Sequence, residues 1–224
     1  MIQGCDVIVT QPVADNYRDV EYLSTSYIIE HCKKDCVVIL FDSCYFTFYY
    51  IDLMYTSFQG EPLHRPTDYH YKYMLECYRR GLSVEEYVQE YVNNLGLANL
   101  PADMALTALA SRHERSVQKY PKAHVISAHD YIAENYRKRL LFYSMNHPAK
   151  EVLQHICEGI VDVLGARNTI NYDADPLSNP KCILYKCVRE AVDFDLPEPC
   201  VCGRRNVQDI AQLYYDTYRE IDFV

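Results

Sequence analysis

The stretch DVIVTQPVADNYRDVEYLSTSYIIEHCKKDCVVILF, residues 6–41, decides the fold class of this 224-residue chain. Residues 6–10 form a short apolar run, residues 24–34 carry helical spacing, and residues 37–41 form a second apolar run. Strand, helix and strand in that order make a β-α-β unit, whose crossover brings the two strands together in parallel. Both runs are nearly continuous rather than alternating, as expected of strands covered by helices on both faces. Each ends in a polar cluster: Gln11-Pro12-Val13-Ala14-Asp15-Asn16-Tyr17-Arg18 after the first, Asp42-Ser43-Cys44 after the second. Ligands of open α/β sheets collect beyond the carboxyl ends of the strands. The expectation is an α/β fold with a small parallel sheet flanked by helices, Rossmann-like and three-layered.

A second stretch extends this reading. In RLLFYSMNHPAKEVLQHICEGIVDVLG, residues 139–165, an apolar run stops at Asn146-His147-Pro148 and an amphipathic pattern follows until Gly165. Residues 140–144 are expected as a third strand of the same sheet, running the same way, so that Asn146 and His147 open onto the same crevice. Pro148 fits a first helical turn and biases His147 to an extended backbone. His147 would then lie near unpaired helix amides, which disfavour imidazolium and attract anions. Two roles stay open for the pair: a helix cap, or a base with a ligand-facing amide.

Between these regions the pattern is mostly helical, with helices expected near 67–80, 83–95, 103–119 and 128–138, and a short strand at 124–126. Ser83 and Glu86 read as a capping box. A single α/β domain over residues 1–224 accommodates this as a helical insertion at about 60–138, with a C-terminal extension at about 166–224 that includes a helix near 206–216. Only 7 glycines argue against long flexible linkers, and net charge of −9 argues against nonspecific nucleic-acid binding. Arg112, Arg115, Lys119 and Lys122 cluster nonetheless; they read as a solvated helix face, with a small anionic ligand as the alternative. No leader segment is visible at the N-terminus and no apolar run is long enough to span a bilayer, so a cytoplasmic location with free thiols is expected for the 10 cysteines. Cys200 and Cys202 resemble a metal knuckle only faintly, and no metal is expected. The 22 tyrosines, without one tryptophan, either pack the core or stack on a ring, above all in YFTFYYIDLMY at 45–55.

No nucleotide-binding glycine fingerprint, phosphate loop or G-x-S-x-G elbow is present. What remains at the strand ends is Gln11, Asp15, Asn16, Tyr17, Arg18, Ser43, Cys44, Asn146 and His147. A Ser or Cys nucleophile, a His base and amide donors suit acyl transfer or ester hydrolysis. For Arg18 a clamp on phosphate or carboxylate competes with a salt bridge to Asp15 or Asp19.

Taken in order, TQP (10–12) with ADNYR (14–18), LST (23–25), VVILFDSCYFTFYY (37–50), DYHY (68–71) and RLLFYSMNHPAKEVL (139–153) resemble the WcbI-type family of polysaccharide-biosynthesis enzymes. The resemblance spans roughly residues 6–165. It implies a protein that binds coenzyme A and transfers an acetyl group from acetyl-coenzyme A to the hydroxyl of a capsular or surface sugar, modifying a glycan precursor in the cytoplasm with a cysteine-protease-like arrangement. The matching positions are Gln11, Tyr17, Arg18, Ser24, Ser43, Asn146 and His147. On this basis His147 and Asn146, with Ser43 or Cys44, are the catalytic candidates, and Gln11, Asn16, Tyr17, Arg18 and Ser24 the coenzyme-binding ones. In that scheme His147 is the general base or orients the nucleophile, Asn146 or Gln11 serves the oxyanion, and Arg18 meets an anionic group. Family members also begin with a strand ending in a G-N-C-Q-like turn, whose cysteine is the favoured nucleophile; it is not found before Val7, and Cys5 precedes the first strand rather than ending one. A start lying upstream, a site rewired to Ser43 or Cys44, and a binding or scaffold protein without catalysis are the three readings. An ester hydrolase using the same pocket is a further alternative, and a homodimer or compensating strand is expected to cover the exposed sheet edge.

Overall fold

Runs of β-branched and aliphatic residues bounded by polar clusters set the strands, and capped amphipathic segments set the helices. The structure is a computed structural model and describes residues 2–97, 102–167, 174–179, 182–195, 203–204 and 206–223. The strands are β1 (Val7–Thr10), β2 (Val37–Phe41), β3 (Leu53–Met54), β4 (Ser57–Phe58), β5 (Glu61–Pro62), β6 (His70–Tyr71), β7 (His124–Ile126), β8 (Phe142–Ser144) and β9 (His147–Pro148). The α-helices are α1 (Thr25–His31), α2 (Lys72–Arg79), α3 (Val84–Tyr87), α4 (Ala102–Lys119), α5 (His129–Asn135), α6 (Lys150–Val163), α7 (Lys186–Arg189) and α8 (Val207–Glu220). The chain forms two compact units, one from Met1–Tyr45, Asp103–Glu134 and Lys150–Asp175, the other from Phe46–Ala102, Asn135–Ala149 and Pro176–Val224. None of the described helices is long and apolar enough to cross a membrane.

The first unit holds the parallel sheet, in the order β1-β2-β7. Val7 lies opposite Val37 and Thr10 opposite Leu40, while Phe41 lies opposite Ile126. With a partner on either side, β2 buries Val38, Ile39 and Leu40; β1, at the edge, leaves Val7 and Val9 39% and 43% exposed. Ser24 caps α1 by accepting the Tyr27 N–H at 3.1 Å. Ile29, Cys32, Cys36, Ala123 and Val125 pack on the buried patch of Val38, Leu40 and Tyr120. At the end of α6, Gly165 takes φ +63°, and the N–H groups of Gly165 and Ala166 return to the carbonyls of Asp162 and Val161. That pair of bonds is the helix stop expected there. The α/β class with a small parallel sheet and flanking helices is as the sequence predicts.

The third strand is not the one expected. Its place beside β2 is taken by β7, whereas β8 pairs antiparallel with β9 across Met145 and Asn146. A two-residue connection can only reverse the chain; a parallel partner needs a long crossover. Pro148 accordingly lies in β9 rather than in the first helical turn, and α6 begins at Lys150, whose N–H donates to the Asp175 carboxylate at 3.1 Å.

The second unit is built from hairpins and helices around buried aromatics. The β4-β5 hairpin turns on Gln59 and Gly60, both at positive φ, the pattern that matches strand twist. Phe46, Phe48, Tyr49, Tyr136 and Phe142 form a cluster of edge and tilted ring contacts, so most of the 45–55 tyrosine-rich stretch is core. Ser83 and Glu86 form the expected capping box at α3. Asp52 is buried and accepts from the Tyr185 hydroxyl at 2.6 Å and the Tyr73 N–H at 3.1 Å. Burial pushes its carboxyl up to about 6, against the pull of those two donors.

Two outcomes are expected. A Cβ on Gly159 would meet Ile126 Cγ2 at 2.8 Å, on a β-branched side chain with little freedom to retreat. Gly159→Ala should therefore destabilise the fold by about 1–3 kcal/mol in chemical denaturation, despite the better helix propensity of alanine. Asp52 prefers its neutral form when folded, so its stabilising contribution is full below the unfolded value of 3.8 and is lost as pH rises through about 6. Asp52→Asn should gain on the native protein by up to about 3 kcal/mol between pH 4 and pH 8; parallel stability curves would show that the carboxyl is not held this way.

Candidate active site

In the second unit, the short β8-β9 hairpin places Ser144, Asn146 and His147 within one hydrogen-bonded cluster, and Tyr69, just before β6, completes it. His147 Nδ1 lies 2.7 Å from Ser144 Oγ, 2.8 Å from the Tyr69 hydroxyl oxygen and 3.2 Å from Asn146 Oδ1. The Tyr69 hydroxyl donates to Asn146 Oδ1 at 2.6 Å, and the Ser144 hydroxyl reaches the same oxygen at 3.0 Å. Asn146 Nδ2 donates to the Tyr55 hydroxyl at 2.8 Å, and Tyr55 is 56% exposed.

Proton accounting gives this cluster a direction. Asn146 Oδ1 has two lone pairs and accepts both hydroxyl protons, so Ser144 and Tyr69 turn only lone pairs toward Nδ1. With both hydroxyl protons assigned to Asn146 Oδ1, Nδ1 carries the ring proton, and Nε2, which has no partner among the described residues, is an open acceptor; a Ser144 proton turned to Nδ1 instead would give the other tautomer. Burial lowers the His147 pKa from its ordinary value, with the Asp68 charge opposing it. Burial likewise raises the Tyr69 pKa, which keeps the phenol protonated as a donor. A neutral, oriented imidazole with one free nitrogen can take a proton from a hydroxyl. Ser144 is fully buried, so its oxygen positions the ring and is not presented to a substrate.

In the first unit, a cavity of about 220 Å³ lies at the carboxyl ends of β1 and β2, lined by Pro12, Val13, Ala14, Asp42, Ser43 and, from the last turns of α4 and just beyond it, Arg112, Arg115, Ser116, Lys119 and Tyr120. Asp42 is buried, with Oδ2 2.9 Å from His113 Nδ1 and Oδ1 without a hydrogen-bond partner. Burial raises the Asp42 carboxyl above its ordinary value, and His113 offsets part of that. Arg112 donates from Nη2 to the Tyr45 carbonyl, while its buried Nε has no partner.

The expected residues are distributed unevenly over these features. Asn146 and His147 are joined in one cluster, and Ser43 is exposed at the cavity. Cys44 is buried, and burial with the Asp42 charge pushes its thiol up to about 12, which keeps it protonated and a poor nucleophile. Gln11, Asn16, Tyr17 and Arg18 are exposed on the segment after β1, with the Arg18 guanidinium 5.3 Å from the Tyr17 ring centroid. Arg18 makes no salt bridge among the described residues: Asp15 instead accepts from Ser26 and pairs with Lys119. The Ser24 hydroxyl is committed to capping α1. Cys182 and Cys187 are buried free thiols, and Cys200 and Cys202 lie outside the described residues. Sequence reading missed Tyr69, Ser144 and the Asp42–His113 pair, although DYHY and the serine two places before Asn146 were both on display.

Fold and cluster together define an α/β protein with a small parallel sheet and a histidine-centred polar site. The chain belongs to the WcbI family of polysaccharide biosynthesis enzymes, whose family model matches residues 1–169. The family resemblance drawn from motif order is thereby borne out. A solved structure of WcbI, described as a novel polysaccharide biosynthesis enzyme in its native form without a disulfide bond between coenzyme A and a cysteine, matches with a TM-score of 0.80. Identity is 21%, and the match covers 98% of this chain and 73% of that one, so the likeness is one of fold. No curated protein matches the chain.

Thiol chemistry provides a check on the electrostatics. Cys44 and Cys182, each held near 12 by burial, should resist alkylation at pH 8 in the folded protein, whereas the partly exposed Cys5 and Cys157 should react. Mass spectrometry of peptides after timed iodoacetamide labelling reads this out; rapid labelling of Cys44 would return it to contention as a nucleophile.

Proposed function

We propose that the protein transfers an acyl group, acetyl in the simplest case, from an acyl-coenzyme A thioester to a sugar hydroxyl in polysaccharide biosynthesis. Family membership supports the pathway, and the mention of coenzyme A for the WcbI structure supports the donor. The observation that carries the chemistry is His147, held at Nδ1 by Ser144 and Tyr69 and open at Nε2. Nε2 takes the proton of the acceptor hydroxyl as its oxygen attacks the thioester carbonyl. The tetrahedral intermediate then expels the coenzyme A sulfur, which recovers the proton from the imidazolium. Asn146 Nδ2 has a second N–H beside the one given to Tyr55, and this can meet the oxyanion.

An ester hydrolase is the second reading, favoured by the 2.7 Å approach of Ser144 Oγ to His147, but a fully buried oxygen is a poor nucleophile. Acetyl transfer to sugar acceptors from acetyl-coenzyme A should be lost by about 10²–10⁴-fold in His147→Ala. Because the His147 pKa is lowered, the neutral base persists to lower pH than an ordinary histidine, and the acid limb of the rate profile should fall below pH 6.5. Absence of coenzyme A binding at millimolar concentration in folded protein would remove the proposal, and ester turnover without coenzyme A, lost in His147→Ala, would put the hydrolase in its place.

A further inference from the structure

We propose that the cavity at the strand ends of the first unit is a diphosphate-binding site, with Arg112, Arg115 and Lys119 as its cations and Ser43 and Ser116 as hydroxyl donors. The three basic residues recur at i, i+3 and i+7 on α4, so they share one face of the helix, and all three line the same cavity. Against three cations the cavity sets one carboxylate, Asp42, which already faces His113. Lys119 is paired with Asp15, but Arg115 makes no ion pair among the described residues, and the Arg112 guanidinium is bound only to a neutral carbonyl. Burial lowers the Arg112 pKa, and the charge of Arg115 lowers it further. Two guanidinium groups thus share one cavity with a single carboxylate, Asp42, whose charge offsets Arg112 only in part, in a chain whose net charge is −9. The buried, unpartnered Nε of Arg112 is a donor still waiting for an acceptor.

Fork-shaped guanidinium donors suit phosphate oxygens, and two of them with a lysine suit the spread charge of a diphosphate better than a single carboxylate. About 220 Å³ accommodates the anionic head of a ligand rather than a whole nucleotide. A second cavity, of about 430 Å³, shares Lys119 and Tyr120 with the first and adds Ser26, Ile29, Glu30, Pro121 and Lys122; its single carboxylate suits the uncharged remainder of the ligand rather than a further phosphate. The diphosphate can belong to coenzyme A or to a nucleotide-activated sugar. Only that assignment rests on the acyl-transfer reading; the grip on diphosphate does not.

Calorimetry on the full chain at low salt tests this with inorganic pyrophosphate, ADP, UDP and coenzyme A. Pyrophosphate and ADP should bind, with affinity falling as salt rises, and Arg115→Ala and Lys119→Ala, both at exposed positions, should each weaken pyrophosphate by about tenfold. Lys34→Ala, which removes the same charge beyond the amino end of β2, should change nothing. Displacement of coenzyme A by pyrophosphate would identify the coenzyme as the source, whereas tight UDP binding with coenzyme A unaffected would identify the sugar nucleotide. No binding of pyrophosphate, or equal binding by native protein and both cavity variants, would overturn the proposal. Pyrophosphate binding in a protein without acetyl transfer would leave this site standing and remove the acyl-transfer reading alone.

Discussion

Buried phenols need acceptors, and in the second unit that requirement ties together segments far apart in sequence. A tyrosine fills a core like phenylalanine, but its hydroxyl must find a partner or lose the bond it made with water. Tyr49 donates to the carbonyls of Tyr136 and Arg139, Tyr50 to that of Phe142, and Tyr214 to that of Tyr69. Tyr71 accepts the Ile183 N–H, and Tyr185 donates to Asp52. Most of these bonds also satisfy an acceptor or donor in a loop or at a strand end. This explains how a unit of two- and three-residue strands can be held at all, and why most of the chain's tyrosines fall in it. Tyr69 belongs to the same economy: its carbonyl accepts from Tyr214 while its hydroxyl holds Asn146 and His147.

In the first unit the governing constraint is different. β2 has a parallel partner on both sides, so its residues are buried and its carboxyl end is carried inside with them. Asp42 follows directly and is buried, which raises the cost of its charge and calls for His113 and the basic face of α4 around it. Polar residues at the end of a central strand are thereby forced into a common cavity with whatever neighbouring helix can neutralise them.

What could be read from sequence follows the range of the forces involved. The β-α-β unit, the capping box at Ser83, the stop at Gly165 and the long helix ending at Lys119 depend on neighbours within a few residues, and all were legible. The pairing of β8 was not: LLFYS has the same apolar signature for either sheet, and only the two-residue return through Met145 and Asn146 settles its partner. Asn146 and His147 were legible as a polar pair, but as a base site they need Tyr69, distant in sequence by more than seventy residues. The cavity beside the basic cluster was illegible for a related reason. A helix bearing Arg112, Arg115 and Lys119 looks the same in sequence whether its basic face meets water or a strand end.

The manner in which His147 is held also bears on its chemistry. In a serine-protease triad a carboxylate faces Nδ1 and stabilises the imidazolium. Here Nδ1 meets three neutral oxygens, from Ser144, Tyr69 and Asn146, so the ring is oriented by uncharged groups, and the charge of Asp68 favours the protonated form less than burial disfavours it. Burial then dominates and the pKa falls. For attack on an amide that would be a poor bargain, since an amine leaving group needs a readily formed imidazolium to protonate it. A thioester is an activated acyl donor, and its thiolate, with a pKa of about 8.5, leaves without strong acid assistance. On the acyl-transfer reading, what limits the reaction is deprotonation of the acceptor hydroxyl. A base that stays neutral at physiological pH and keeps one fixed orientation serves that step, and a neutral set of orienting oxygens is what keeps it so.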